Sequence, residues 1–397
     1  MLILAFACLL YLVSLTHSIA SNTVSLSQIQ ASFEGEDIKR HCPCASKSLC
    51  KPVQRHVDRE VFGFLPPNPR KSWESFDFSQ LSTIAWTTDP ALMCYAHSMG
   101  ARVTADGRQG LAEVLTDASK RSQWVFDAVQ QAESLHLDGI NFDFEDPTEP
   151  GSSLALGYSL TVKHAAEVFH RHIPGSQVSV DVPWSPYDVD GRNYDWAGLA
   201  AAADLLFVMS YDMQSQIYGR CIAAANSPAA LVEKGLRQWL DLGVPRSKIV
   251  LGLPWYGYDY ECQPDSTGRP MQPSDTVCHL AHVPFQGAPC SDAAGSQKGY
   301  LEIMEILRSG RNTTHMQMDS TEMSPFFNYE AKDGSIHQIW FDNPESLSVK
   351  YQMASDLNLR GVGIWNLDTL DYESSDPVIH HQTSEMWEAL KIFSGRS

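Results

Sequence analysis

The chain has 397 residues, 43% hydrophobic and 19% charged. That is enough apolar surface for a large core and far from the composition of a disordered protein. Lys and Arg number 29 against 47 Asp and Glu, a net charge of −18 at pH 7, which argues against a partner made of nucleic acid or anionic lipid, both of which call for clustered positive charge. Charging all 14 His would bring the net figure to about −4 near pH 5, a balance compatible with an acidic compartment as well as with plain solubility.

The chain opens with an apolar run of about 15 residues that ends near His17-Ser-Ile-Ala-Ser21, the length of a signal-peptide core and short of a membrane span. Residues 1–20 are expected to be a cleaved signal peptide, although no basic residues precede the run. Past it lie eight cysteines, at 42, 44, 50, 94, 221, 262, 278 and 290. An even number in the secretory pathway predicts disulfides, and the 105 possible pairings leave their connectivity open. Cys42, Cys44 and Cys50 are spaced like part of a metal knuckle, but no nearby His completes a ligand set, so the cysteine-containing segment 21–55 is read as disulfide-bonded and no metal is expected.

From 56 to 393, β-rich and helical runs alternate. Strands are predicted at 60–64, 81–86, 101–105, 139–145, 177–182, 204–210, 248–253 and 361–365. Helical spacing joins Val125, Ala128, Val129 and Ala132, and again Val162, Ala165, Ala166 and Phe169. Further helices are expected near 195–203 and 384–392. Eight such units predict one closed (β/α)8 barrel rather than two domains. Between about 260 and 298 the chain turns rich in Pro, Gly, Asp, Ser and Cys, which reads as an excursion after the seventh strand held by disulfides. Asn312-Thr-Thr314 is an N-glycosylation sequon.

In such barrels the chemistry gathers at the C-terminal ends of the strands. The fourth run, Asp138-Gly-Ile-Asn-Phe-Asp-Phe-Glu145, places Asn141, Asp143 and Glu145 on one face and Ile140, Phe142 and Phe144 on the other. Acidic side chains facing inward are costly unless solvated, hydrogen-bonded or functional, so this triplet is the candidate site. His164, Glu167 and His170 share a helix face but lie opposite its apolar side, and are read as solvated.

The fourth run resembles the signature of the chitinase-like glycoside hydrolases of family 18. Met209-Ser-Tyr-Asp212 is similar to that family's sixth-strand motif, and Trp365 after Gly361-Val-Gly-Ile364 to its eighth-strand tryptophan. Cys42-Pro-Cys44, Leu92-Met-Cys-Tyr-Ala-His-Ser98 and Pro254-Trp-Tyr-Gly-Tyr-Asp-Tyr260 narrow the resemblance to a lysosomal branch that removes reducing-end N-acetylglucosamine from the chitobiose core of asparagine-linked glycans. The resemblance implies a retaining, substrate-assisted hydrolysis in which one carboxyl serves as acid and base and the 2-acetamido group of the substrate is the nucleophile, an exception to the usual carboxylate pair. It assigns Glu145 as the acid/base, Asp143 as the group that orients the acetamide, Tyr211 as donor to its carbonyl and Trp365 as the floor under the sugar ring. Met209, Asp212 and Trp86 join the same pocket. No cofactor is implied, the partners are N-acetylglucosamine oligosaccharides, and a monomer in the lysosome, or secreted, is expected. An endo-acting chitinase or endo-N-acetylglucosaminidase is the alternative, and a non-catalytic chitin-oligosaccharide lectin a more distant one.

The chain departs from the family pattern at Asn141, where an acid is usual. An amide brings no like charge, so Asp143 is expected to ionise more easily here. Phe62-Gly-Phe64 lacks the tyrosine often found on the first strand. Trp184 and Trp255 stay open between core and site.

Overall fold

Each of the eight β-rich runs forms a strand in the computed structural model, which describes residues 41–66, 72–214, 220–309 and 313–395. The expected signal peptide, residues 21–40 of the N-terminal segment and the sequon Asn312 lie outside the described residues. The first strands are β1 (Glu60–Phe64), β2 (Thr83–Ala85), β3 (Arg102–Asp106), β4 (Gly139–Phe142), β5 (Gln177–Pro183), β6 (Leu205–Met209) and β7 (Ile249–Pro254). Five more follow before the barrel closes: β8 (Tyr256–Glu261), β9 (Gly295–Gly299), β10 (Gln317–Asp319), β11 (Ser324–Glu330) and β12 (Ile336–Trp340). Then β13 (Gly361–Trp365) pairs with both β7 and β1, completing a closed parallel barrel of eight strands.

Helices pack around the barrel, α1 (Pro90–Ser98), α2 (Ala118–Ser134), α3 (Ser153–His172), α4 (Trp196–Ala202), α5 (Ala229–Asp241), α7 (Pro344–Asp356) and α8 (Pro377–Ser394), while α6 (Tyr300–Ser309) follows β9 and packs on the sheet of β8 and β9. The spacing read from sequence is the buried stripe of each. Val125, Val129 and Ala132 of α2, and Val162, Ala165, Ala166 and Phe169 of α3, pack against outward-facing strand residues such as Ile140, Val178 and Val180. Both helices begin where a side chain takes up free backbone N–H groups: Asp117 accepts from Ser119 and Lys120, and Ser152 from Ala155. None of the helices among the described residues is long and apolar enough to cross a membrane.

Inside the barrel, Phe62, Phe64 and Phe207 stand where branched aliphatic residues usually fill the interior, with ring centroids 4.8 Å apart for Phe64–Phe207 and 5.6 Å for Phe62–Phe207. Gly252 and Gly363 make room for them; a Cβ at either would stand 2.3 Å or 2.1 Å from the Phe207 ring. Each buried ring stabilises the fold by about 2–3 kcal/mol. Their upper edges carry the floor of the site described below.

The N-terminal segment is stapled to the barrel. Cys42–Cys50 closes a small loop, and Cys44–Cys94 ties it to α1. Beneath it lies Asp138, the first residue of the fourth-strand signature, which is fully buried. Its carboxylate accepts from the backbone N–H groups of Val53 and Val103, each at 2.7 Å, and pairs with His97 Nε2 at 2.8 Å. The other ring nitrogen of His97 meets Leu49 O at 2.7 Å, so His97 anchors the N-terminal segment to the barrel. Burial disfavours its charge, but Asp138 and the Leu49 carbonyl outweigh that and raise its pKa above the ordinary 6.5. Stability from the pair is therefore full below pH 6.5 and is lost as pH rises through the raised value. The Tm difference between wild type and His97→Gln should be largest below pH 6.5 and shrink above it; a difference independent of pH would reduce His97 to a packing role.

The excursion after β7 is broader than the 260–298 read from composition. It is an antiparallel sheet in the order β10-β11-β12-β8-β9, spanning residues 256–340. Compositional bias marked only its loops, while β11 and β12, with Phe326 stacked on Trp340 at 4.5 Å, carry ordinary strand sequence. Cys262–Cys278 closes the loop between β8 and β9, and Cys221–Cys290 ties that loop back to the segment after β6.

Candidate active site

The ladder around β4 ends early. Its last partners are Asn141 opposite Asp106 and Phe142 opposite Val180, so the chain leaves the sheet there and carries Asp143 and Glu145 into the barrel mouth. The alternation persists past the strand. Phe142 and Phe144 pack outward on Tyr158 of α3, at 6.4 Å and 5.2 Å between centroids, and this pins the direction of the polar side chains between them. Glu145 reaches the opening with 45% of its side chain exposed. Asp143 sits deeper, beside Glu145, and its Oδ1 is buried with no hydrogen-bond partner.

Two cavities share Glu145, Met209, Tyr211, Asp212 and Tyr258 in their walls. The inner one, about 250 Å³, gathers all seven residues singled out in sequence as catalytic or sugar-binding: Glu145, Asp143, Tyr211, Trp365, Asp212, Met209 and Trp86. Trp86 and Trp365 meet edge to face at 5.2 Å, and both rest on Phe64, so the aromatic barrel filling holds the floor of this cavity. Asp181, Tyr258 and Gln297 complete its wall. The outer cavity, about 290 Å³, adds Trp184, Asp190 and Arg192 from the loop after β5, and Phe285, Ser291, Asp292 and Ala293 from the excursion. Trp184 thus belongs to the site, whereas Trp255 is fully buried, donating to Tyr351 at 3.2 Å.

Asn141 has a specific use. Its Oδ1 accepts from the Trp86 indole at 2.8 Å, and its Nδ2 donates to Ser179 at 3.0 Å and to Asp181 at 2.9 Å. A carboxylate at this position has no N–H to donate to Asp181. On the mouth side, the Arg108 guanidinium lies 3.7 Å from the Trp86 ring centroid, held by two hydrogen bonds to Asp106.

The amide at 141 brings no like charge, yet Asp143 does not ionise readily. Burial and the neighbouring Glu145 push it up to about 8, against the pull of Arg108 and Arg192. Asp181, fully enclosed, is pushed well above the carboxylate range by burial first and by Asp143 second, with the Asn141 amide opposing. Losing the acid at 141 therefore leaves the cluster with its inner carboxyl, now one strand away on β5. Tyr211 is raised well above 10 by burial and by Asp181 and Asp143, so its hydroxyl keeps its proton and can donate. Asp212 accepts from the hydroxyls of Tyr256 at 2.5 Å and Tyr258 at 3.0 Å.

Asp181 was open to discovery from sequence: Ser179 and Asp181 alternate with Val178, Val180 and Val182 as the fourth-strand triplet alternates with its apolar face. Arg192, Phe285, Asp292 and Gln297 come from loops and the second sheet, where no periodicity marks them.

Barrel, signature strand and carboxyl cluster together define a glycoside hydrolase, and the chain belongs to the glycosyl hydrolases family 18, whose model matches residues 61–369. Among curated relatives it is 44% identical to the di-N-acetylchitobiase of Rattus norvegicus over 352 residues, 88% of this chain and 92% of that protein. It is also 44% identical to the di-N-acetylchitobiase of Homo sapiens, covering 88% of each chain. Among solved structures, a Group IV chitinase of Ostrinia furnacalis in complex with allosamidin superposes with a TM-score of 0.64 at 18% identity, covering 84% of this chain and all of that one, a likeness of fold.

Proposed function

We propose that the protein hydrolyses the GlcNAc-β1,4-GlcNAc core of asparagine-linked glycan fragments and releases the reducing-end N-acetylglucosamine. It acts as a monomer in the lysosome. The two relatives above support the substrate. The observation that carries the chemistry is the placement of Glu145 where the two cavities meet, with the unpartnered Asp143 Oδ1 just inside. A sugar seated on Trp365 and Trp86 in the inner cavity brings its acetamide to Asp143 and Tyr211. Asp143 accepts the amide N–H, Tyr211 donates to the carbonyl oxygen, and that oxygen attacks the anomeric carbon as Glu145 protonates the departing glycosidic oxygen. The second sugar leaves through the outer cavity. Water, deprotonated by the same Glu145, then opens the cyclic oxazolinium and the configuration is retained. Fixed donors and acceptors aimed at the charge that develops are what make such a site effective.

The wall that Phe285, Ser291, Asp292 and Ala293 add to the outer cavity supports exo action over the endo-acting alternative, which needs a groove running on past the leaving sugar. Purified protein offered N,N′-diacetylchitobiose, its asparagine-linked form and a longer chitin oligomer at pH about 4–6 should release N-acetylglucosamine one unit at a time from the reducing end. Internal cuts in the oligomer would overturn the exo reading, and no cleavage of any of them would overturn the function.

A further inference from the structure

Arg192 is the one cationic side chain lining the outer cavity among the described residues, facing Glu145, Asp190, Asp212 and Asp292. It is only 12% exposed, and its Nη2 lies 2.5 Å from Glu145 Oε2 and 3.7 Å from Asp190 Oδ2. Its Nε donates to the Glu145 carbonyl oxygen at 3.1 Å, while Nη1 has no hydrogen-bond partner among the described residues. The backbone beneath it is fixed: Arg192 N donates to Val189 O at 2.9 Å, Thr148 N donates to Gly191 O at 2.9 Å, and Thr148 and Arg192 form a parallel bridge. Only the far end of the side chain is free to move.

The guanidinium engages Oε2 of Glu145, and that oxygen is not available to hand a proton to a glycosidic oxygen while the pair holds. The same guanidinium points a spare N–H set into the cavity that receives the departing sugar, whose hydroxyl oxygens are good acceptors for a planar fork.

We propose that Arg192 reads the leaving-side sugar: its guanidinium bonds that sugar's hydroxyls and in doing so releases Glu145 for proton transfer. This rests on the substrate reading above and adds to it a specificity-determining residue outside the fourth-strand signature. The apolar part of the outer cavity, Trp184, Val189 and Phe285, receives a flat aglycone equally well, but an aryl group offers Arg192 no hydroxyls.

The test compares wild type, Arg192→Met and Arg192→Lys on N,N′-diacetylchitobiose and on an aryl β-N-acetylglucosaminide. For Arg192→Met, the loss in kcat/KM on chitobiose should exceed the loss on the aryl glycoside at least tenfold and fall mainly on KM, with Arg192→Lys intermediate because it keeps the charge and loses the fork. Equal losses on both substrates, with no recovery in the lysine variant, would assign Arg192 to holding the loop and overturn the proposal, as would full retention of chitobiose turnover. A wild-type protein that cleaves the aryl glycoside but not chitobiose would instead remove the substrate reading, and this role with it.

Discussion

Replacing Glu145 with Gln is expected to lower kcat on N,N′-diacetylchitobiose by about 10²–10⁴-fold while sugar binding, measured by tryptophan fluorescence or calorimetry, stays within a few-fold of wild type. The amide keeps the shape and loses the proton that both steps require. The loss should be smaller on an aryl glycoside, whose leaving group needs less help from an acid. Binding should survive because the floor of the inner cavity is made by Trp86 and Trp365, neither of which depends on Glu145 for its position: both rest on Phe64, and Trp86 is fixed further by Asn141 and Arg108. Retained turnover would remove Glu145 from the mechanism.

The second large effect is expected at Asp143. Asp143→Asn should cost about 10²–10³-fold in kcat, the scale of losing one preorganised polar group aimed at developing charge. The variant also changes the pH profile. Burial and Glu145 raise Asp143 to about 8, so below that pH the pair holds the proton it needs, and as pH rises through it the proton is lost and two carboxylates face each other. Wild-type kcat/KM should therefore fall on the alkaline side near pH 8, and that limb should move in Asp143→Asn. A limb that stays in place belongs to another group. An acidic working pH, as in a lysosome, lies on the productive side of this transition.

Much of this was legible in the chain. The barrel followed from eight β-rich runs whose intervening stripes keep helical period, and the site from one strand on which polarity alternates. Those signals survive because both faces of a barrel strand are buried for different reasons, one against helices and one around the mouth. The second sheet was half hidden: its turns announced themselves through Pro, Gly and Cys, but β11 and β12 look like any strand and carry no mark of where they pack. Arg192 and Asp292 were out of reach, because a loop residue becomes part of a site only through the path of the chain. Asn141 was read as a missing charge. The structure shows a donor that ties Trp86 to Asp181, and the inner carboxyl is supplied by the neighbouring strand.

The central claim is that the sugar supplies its own nucleophile to a pocket built for the cyclic intermediate. N-acetylglucosamine-thiazoline, a stable mimic of that ring, tests it most directly by competitive inhibition. The account predicts binding at least about 10²-fold tighter than N-acetylglucosamine, largely lost in Asp143→Asn. A wild-type enzyme that cleaves chitobiose yet binds the thiazoline no better than the free sugar would contradict it.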